Sequence, residues 1–163
     1  MSMFSAFVLG PCINATGRLE SAMLSLDLLR SKTIEEGIEL ASQLKALNES
    51  RKEMTEKGVL QAVDIIETNG LNSKKVIVVY VPNLHESLAG IVAGRIREKY
   101  YRPVFVVTDG EQGLKGSARS IPAYHIYEAM TEVKDVFTKF GGHALAAGFS
   151  LENDMLEIFE KKM

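Results

Sequence analysis

Four short stretches of this sequence combine glycine with arginine, serine, asparagine or histidine, the residue types that commonly bind phosphate. Arginine offers a planar, permanently charged fork, and bare glycine amides can cradle an anion when the backbone turns through positive φ. The stretches are GPCINATGRLE, HESLAGIVAGR, KGSARS and KFGGHALAAGFSL. Each stretch alone also fits an ordinary turn, strand or helix end, so its chemistry depends on which elements position it.

The first stretch predicts a loop that carries Asn14, Gly17 and Arg18 just before a helix. An asparagine amide and an arginine fork could bind phosphate there, because helix N-terminal amides favour anions. A turn with a capping asparagine and a surface arginine fits as well.

The second stretch places His85 before a helix in which Gly90, Ala93 and Gly94 keep one face thin. This pattern allows close backbone approach, and it is also typical of a helix packed tightly on a sheet. His125, between tyrosines in a predicted helix, is interpreted as an ordinary surface or packing histidine.

The third stretch alternates Lys115, Ser117 and Arg119, which a strand would present on one face. Two cations and a hydroxyl on one face would form a phosphate patch, although a solvent-facing strand has the same pattern.

In the fourth stretch, Gly141 and Gly142 predict a loop with φ above zero and bare amides, and His143 adds a hydrogen-bond donor. A tight turn with a packed histidine is the alternative.

Composition excludes several classes of function. The net charge is −2, so polyanion binding would need a local patch. The single cysteine, Cys12, excludes an intrachain disulfide and a cysteine-based zinc site, and it suits a reducing cytoplasm. No run approaches the ~18 apolar residues that would span a membrane. Three separated histidines and the absence of an Asp-rich cluster argue against a hydrolytic metal site in this chain.

The elements that must position these stretches fall into three regions. Residues 20–30 have helical spacing, and residues 33–69 predict one long helix that starts at a Thr33–Glu36 capping box. Its polar middle indicates a solvated strut of roughly 50 Å; two helices broken near Gly58 are the alternative. From residue 71 onward strands and helices alternate, which predicts an α/β fold with a largely parallel or mixed sheet.

Taken in order, the four stretches and the long helix resemble the RecJ family of single-strand-specific exonucleases, within the DHH phosphoesterase superfamily. The similar features are PCINATGRLE, the long helix, HESLAGIVAGRI with RPVFVVT, KGSARSI and FGGHALAAGFSL. The resemblance covers nearly the whole chain and implies three parts. Residues 1–32 would be the end of the DHH catalytic domain, residues 33–70 the connecting helix, and residues 71–163 the DHH-associated domain, a mixed α/β sheet flanked by helices. The Asp-His-His motif is absent, so the chain is expected to be a piece of a longer protein.

The resemblance also implies roles for residues. Substrate phosphates would be bound by eight positions: Asn14, Arg18, His85, Ser117, Arg119, Gly141, Gly142 and His143. The role of His85 within this set is not fixed by the resemblance. Cys12 departs from the family pattern, in which arginine is common, and leaves one phosphate contact unassigned.

The function implied is that of a nucleic-acid-binding fragment of a 5′→3′ single-stranded-DNA exonuclease of DNA repair and recombination. Single-stranded DNA is the implied partner, and Mn²⁺ or Mg²⁺ would be held elsewhere in the full-length protein, with no metal on this chain's own residues. The fragment alone is expected to be inactive, and its exposed apolar surfaces could support a dimer. The alternatives are a fragment of a phosphodiesterase for short oligonucleotides or cyclic dinucleotides, and a non-catalytic interaction module.

Overall fold

The structure, a computed structural model, describes residues 10–19 and 22–163, and all of their side chains except those of residues 18 and 19. It divides into two compact units, Met1–Glu56 and Lys57–Met163, and the division falls inside one long helix. Among the described helices, none combines the length and apolar character needed to cross a bilayer.

The described part of the first unit begins with helix α1 (Gly10–Leu19), followed by α2 (Met23–Arg30). The loop predicted around Asn14 is therefore wrong, because these residues lie inside α1. Pro11 does not prevent the helix, since proline lacks only a first-turn N–H that would have no intrahelical partner there. Of the helix predicted for residues 20–30, residues 20 and 21 lie outside the described residues.

Helix α3 (Ile34–Thr68) is continuous over 35 residues, which confirms the long helix and rules out the break near Gly58. The Thr33 hydroxyl accepts a hydrogen bond from the Glu36 amide at 3.2 Å, as the capping box predicts. A Cβ at Gly58 would lie 2.7 Å from Leu84 Cδ1, so this glycine permits close packing and does not end the helix. Three apolar side chains of α3 are exposed among the described residues: Ile34, Ile38 and Leu60.

The second unit is a five-stranded mixed sheet with helices on both faces, as predicted. Its elements are β1 (Ile77–Tyr80), α4 (Ala89–Tyr100), β2 (Val104–Asp109), β3 (Leu114–Arg119), α5 (Ile126–Glu132), β4 (Lys139–His143), β5 (Ala146–Leu151) and α6 (Leu156–Lys162). The strand order is β1-β2-β3-β5-β4. Strands β1 and β2 are parallel and joined through α4, and the other neighbours are antiparallel. Single 3₁₀ turns occur at Leu71–Ser73, Glu86–Leu88, Lys134–Val136 and Asn153–Met155.

One face of this sheet, here called the core face, packs against α5 and α6. Phe105 and Phe149 from the sheet meet Phe159 of α6, with ring centroids 5.4 Å apart in both pairs. Ile126 and Met130 of α5 are buried in the same cluster. Since apolar burial is the main favourable term in folding, this aromatic cluster fixes the sheet and its register.

The other face is covered only in part. Over β1 and β2 it carries fully buried Val79, Val104 and Val106, against which α4 buries Val92 and Ile96. Over β5 and β4 the residues of this face are exposed or half-exposed. Gly141 and Gly142, which were predicted to lie in a loop, belong to the edge strand β4, because this segment continues the antiparallel pairing of β5.

Candidate functional site

The Ser117 and Arg119 side chains lie together on the partly covered face, because alternate residues of β3 point to the same side. Arg119 Nη1 donates to Ser117 Oγ at 3.2 Å and to the Ala118 carbonyl at 2.8 Å. Ser117 Oγ in turn donates to the Ala147 carbonyl of β5 at 3.4 Å. These bonds orient the guanidinium along the sheet while leaving the residue half-exposed.

Gly90 of α4 makes the space in which these side chains lie. A Cβ at position 90 would be 2.8 Å from Arg119 Nη2 and 3.1 Å from Ser117 Oγ. The thin helix face that the sequence indicates is therefore confirmed at Gly90, and its neighbour is the candidate phosphate-binding pair. At Gly94 a Cβ would meet nothing within 4 Å, so the same argument does not extend to it.

Strand pairing places the fourth stretch beside the third. Arg119 lies opposite Ala146 of β5, which lies opposite His143 of β4. Directly opposite residues share a face, and strands are about 4.8 Å apart, so the Arg119 and His143 backbones are about 10 Å apart. The neighbouring row on this face, two positions further along the strands, consists of Ser117, Gly148 and Gly141.

The row next to Arg119, Ala146 and His143 is bare backbone at two of its three positions. Gly148 and Gly141 are exposed, and a Cβ at Gly141 would meet nothing within 4 Å. Gly142 points to the core face, where a Cβ would lie 2.6 Å from Ala147 Cα. Gly142 is therefore a packing requirement, whereas nothing within the described part of the chain requires glycine at position 141.

The anion-cradling nest expected at Gly141 and Gly142 does not form. Both residues are in extended strand conformation, and the described glycines with positive φ are Gly70 and Gly113. The pairing with β5 explains this, since a nest would break the ladder. What Gly141 provides is bare strand backbone on the exposed face, which another backbone can approach.

His85 occupies a different environment. It caps the 3₁₀ turn that precedes α4, with Nδ1 2.7 Å from Ser87 Oγ. The groove it lines also contains Glu86, Asp109 and Glu111, whose negative charge disfavours a phosphate. Hydrogen bonds from the Asn83 amide and the Tyr80 hydroxyl hold the pKa of Asp109 below its usual range. No described contact joins His85 to Arg119, so its phosphate role stays a prediction.

The remaining predicted residues belong to the first unit. Asn14 is exposed on α1, and the side chain of Arg18 lies outside the described side chains. Cys12 is a free, half-buried thiol of the same helix. The buried Thr16 hydroxyl lies 2.8 Å from Ser25 Oγ, and this contact fastens α1 to α2.

The described residues do not fit a divalent-metal site. Within residues 10–19 and 22–163, no three His, Cys, Asp or Glu side chains converge on a point that could hold a metal ion. The chemistry available on the partly covered face is hydrogen bonding and positive charge around a glycine floor. Gly148 and Lys139 are members of this face that the sequence analysis missed; the alternation of small residues in AAGFS was the signal for the first.

Comparisons with known proteins show the family to which the chain belongs. Residues 73–163 match the DHHA1 domain family. The single-stranded-DNA-specific exonuclease RecJ of Escherichia coli is 37% identical over 164 residues, covering 96% of this chain and 28% of that protein. The RecJ of Bacillus subtilis is 38% identical over 148 residues, covering 90% of this chain and 19% of the relative. The chain thus spans less than a third of the length of these relatives.

Solved structures of RecJ proteins also match this chain. The RecJ of Thermus thermophilus in complex with Mn²⁺ superposes with a TM-score of 0.85 at 33% identity, over 98% of this chain and 23% of that one. The Mg²⁺ complex of the same protein gives a TM-score of 0.82 at 32% identity. With more than half of its residues matched, the chain belongs to the DHHA1 domain family, and over nearly its whole length it is similar to RecJ exonucleases.

Proposed function

We propose that this chain is the substrate-binding part of a RecJ-like, single-stranded-DNA-specific 5′→3′ exonuclease that acts in DNA repair and recombination. The observation that carries the proposal is the placement of Arg119 and His143 on one exposed face, on either side of Ala146. Next to them is a row formed by Ser117, Gly148 and Gly141. Positive charge and hydrogen-bond donors flank a strip about 10 Å wide, here called the glycine strip, which consists of Ala146, Gly148 and Gly141. A sugar–phosphate chain can enter it.

In this proposal each residue binds or orients the substrate. Arg119 contacts a phosphate with its guanidinium, and Ser117 fixes the guanidinium orientation through its hydroxyl. His143 donates to the phosphate from the opposite strand, and Gly141 lets the sugar approach the sheet. Asn14 and Arg18 would contact the substrate from the first unit. Divalent metals, which would activate water for attack on the phosphodiester, are assigned to residues outside this chain.

The decisive experiment compares binding of a labelled, 5′-phosphorylated single strand to the wild-type chain and to Arg119→Ala. We expect the substitution to weaken binding about 10- to 100-fold, because it removes charged hydrogen bonds, and to reduce the salt slope by about 0.7. Lys161→Ala on α6, which packs on the core face, removes one positive charge and is the matched control. Its affinity should stay close to that of the wild type.

Two results would contradict the proposal. Unchanged affinity and salt slope in Arg119→Ala would remove the phosphate contact on which it rests. Equal affinity for a dinucleotide and a long strand would favour the short-oligonucleotide phosphodiesterase instead. Circular dichroism of each variant distinguishes lost binding from lost folding.

A further inference from the structure

A third row of side chains lies on the same face, and the proposed function does not use it. Lys115 of β3 pairs with Ser150 of β5, and Ser150 pairs with Lys139 of β4. Two lysines therefore flank one serine, in the same geometry in which Arg119 and His143 flank Ala146. The row lies two residues along the strands from the Ser117–Gly148–Gly141 row, a distance of about 6.7 Å.

Packing against a turn directs the Lys115 side chain along this face. A Cβ at Gly110 would be 2.5 Å from Lys115 Cγ and 3.5 Å from Cε, so the lysine stem lies directly over that glycine. Gly110 is held in turn by a hydrogen bond from its amide to the Gly113 carbonyl at 2.9 Å, and Gly113 has a φ of +83°. A stem restrained in this way loses less entropy when its ammonium binds a ligand.

The two lysines line one groove whose floor is continuous with the glycine strip. It has a volume of about 370 Å³, and its lining includes Lys115, Lys139, Gly141, Gly148 and Ser150. Among the described residues, neither lysine forms an ion pair. Two unneutralised lysines on strands about 10 Å apart repel each other, and an anion between them would relieve the repulsion.

We propose that Lys115, Ser150 and Lys139 form a second phosphate-binding site, which takes the phosphodiester adjacent to the one at Ser117 and Arg119. The site rests on the proposed function and extends it. Successive phosphates of an extended single strand have a spacing comparable to two strand residues. The bound strand therefore runs lengthwise along β5, over Gly148. The Ser117 row, to which the Arg119 guanidinium donates, and the lysine row then contact consecutive linkages.

The test uses the double variant Lys115→Gln/Lys139→Gln, which keeps both side-chain stems and therefore the packing on Gly110. Lys161→Gln/Lys162→Gln on α6 carries the same charge change and is the control. Affinity for single-stranded DNA is measured against salt for both. We expect the site variant to lose about tenfold in affinity and about 1.4 in salt slope, and the control to change neither.

A set of oligonucleotides, each with one uncharged methylphosphonate linkage, then maps the contact. In the wild type, neutralising either of two consecutive linkages should weaken binding. The lysine variant should lose its sensitivity at one of these linkages and keep it at the other, and Arg119→Ala should show the opposite pattern.

Several outcomes overturn this inference. Equal losses in the site variant and the control would show that general charge is responsible. If Arg119→Ala weakens binding and the lysine variant does not, the second site is wrong while the proposed function stands. If the wild type does not bind single-stranded DNA, both fail.

Discussion

At the residue scale, the space above Gly90 determines where the Arg119 guanidinium lies. A Cβ at this position would meet the end of a flexible side chain, 2.8 Å from Nη2, and would not meet any backbone atom at that distance. The guanidinium can therefore move away at little cost to folding, but it then leaves the orientation set by Ser117 Oγ. Binding is thus more sensitive than stability to a side chain at position 90.

Gly90 and Gly94 of α4 differ in what an added Cβ would meet, so Gly94 offers a control for a substitution at Gly90. Gly90→Ala should weaken binding of single-stranded DNA by about tenfold, because it displaces the charged hydrogen-bond donor. Gly94→Ala, at a position where a Cβ meets nothing within 4 Å, should leave binding unchanged. It should also stabilise the protein by up to about 1 kcal/mol, the helix-propensity difference between alanine and glycine. Fluorescence anisotropy and denaturant titration of both variants check this, and equal binding by the two would contradict it.

At the element scale, α3 and α4 are fastened within the second unit by polar contacts as well as by packing. The Tyr100 hydroxyl donates to the Glu67 carboxylate at 3.0 Å, and Lys99 Nζ lies 3.5 Å from the same carboxylate. Partial burial, with the hydrogen bond and the negative charge of Glu67, raises the pKa of Tyr100 to about 12. Gly58 brings the two helices close enough for these contacts, since α3 also packs there on Leu84 and Val92.

The raised pKa of Tyr100 predicts a loss of stability at alkaline pH. The neutral hydroxyl is favoured in the folded state, so its contribution is complete below the ordinary tyrosine pKa of about 10. That contribution is lost as the pH rises through about 12. Tyr100→Phe should be less stable near neutral pH by about 0.5–1.5 kcal/mol, the usual net value of one hydrogen bond.

Urea unfolding of the wild type and of Tyr100→Phe across this range gives the measurement. The difference in unfolding free energy should narrow between about pH 10 and about pH 12. A difference that stayed constant through that range would show that the hydroxyl proton does not contribute.

At the scale of the whole molecule, the described residues combine the proposed binding face with no cluster of three metal-ligating side chains. The second unit presents cations and bare backbone on the uncovered part of its sheet, and no described group of three metal-ligating side chains accompanies them. We therefore expect the purified protein to bind a substrate without hydrolysing it. The face would hold a substrate, and the bond-breaking chemistry would need metal ligands beyond those that residues 10–19 and 22–163 offer.

We expect the purified chain to bind a 5′-phosphorylated single strand but not to shorten it when Mn²⁺ or Mg²⁺ is added. Denaturing gel electrophoresis over several hours gives the measurement, with EDTA-treated protein as the control. Degradation that EDTA abolishes, and that persists through repeated purification, would show that this chain holds a metal after all.

The sequence by itself determined the long helix and the mixture of strands and helices in the second unit, although it did not indicate β4. The β-branched runs of β1 and β2 and the Thr33–Glu36 cap are local signals, because neighbouring residues produce them. The family resemblance likewise depends on local motifs, and the comparisons confirm it. Sequence alone also identified Ser117 and Arg119 as members of one strand face.

Only the tertiary structure decided which of the candidate residues share a surface. The pairing of β3 with β5 and of β5 with β4 places Arg119 and His143 on one face, on either side of Ala146. No local sequence pattern encodes the register between strands that are distant in the sequence. The same pairing explains why Gly141 and Gly142 form part of an edge strand and not a nest. In the extended conformation their backbone can form ladder hydrogen bonds with β5, which a positive φ would break. His85, although adjacent to α4 in sequence, lies in an acidic groove, because the fold brings Asp109 to the same groove.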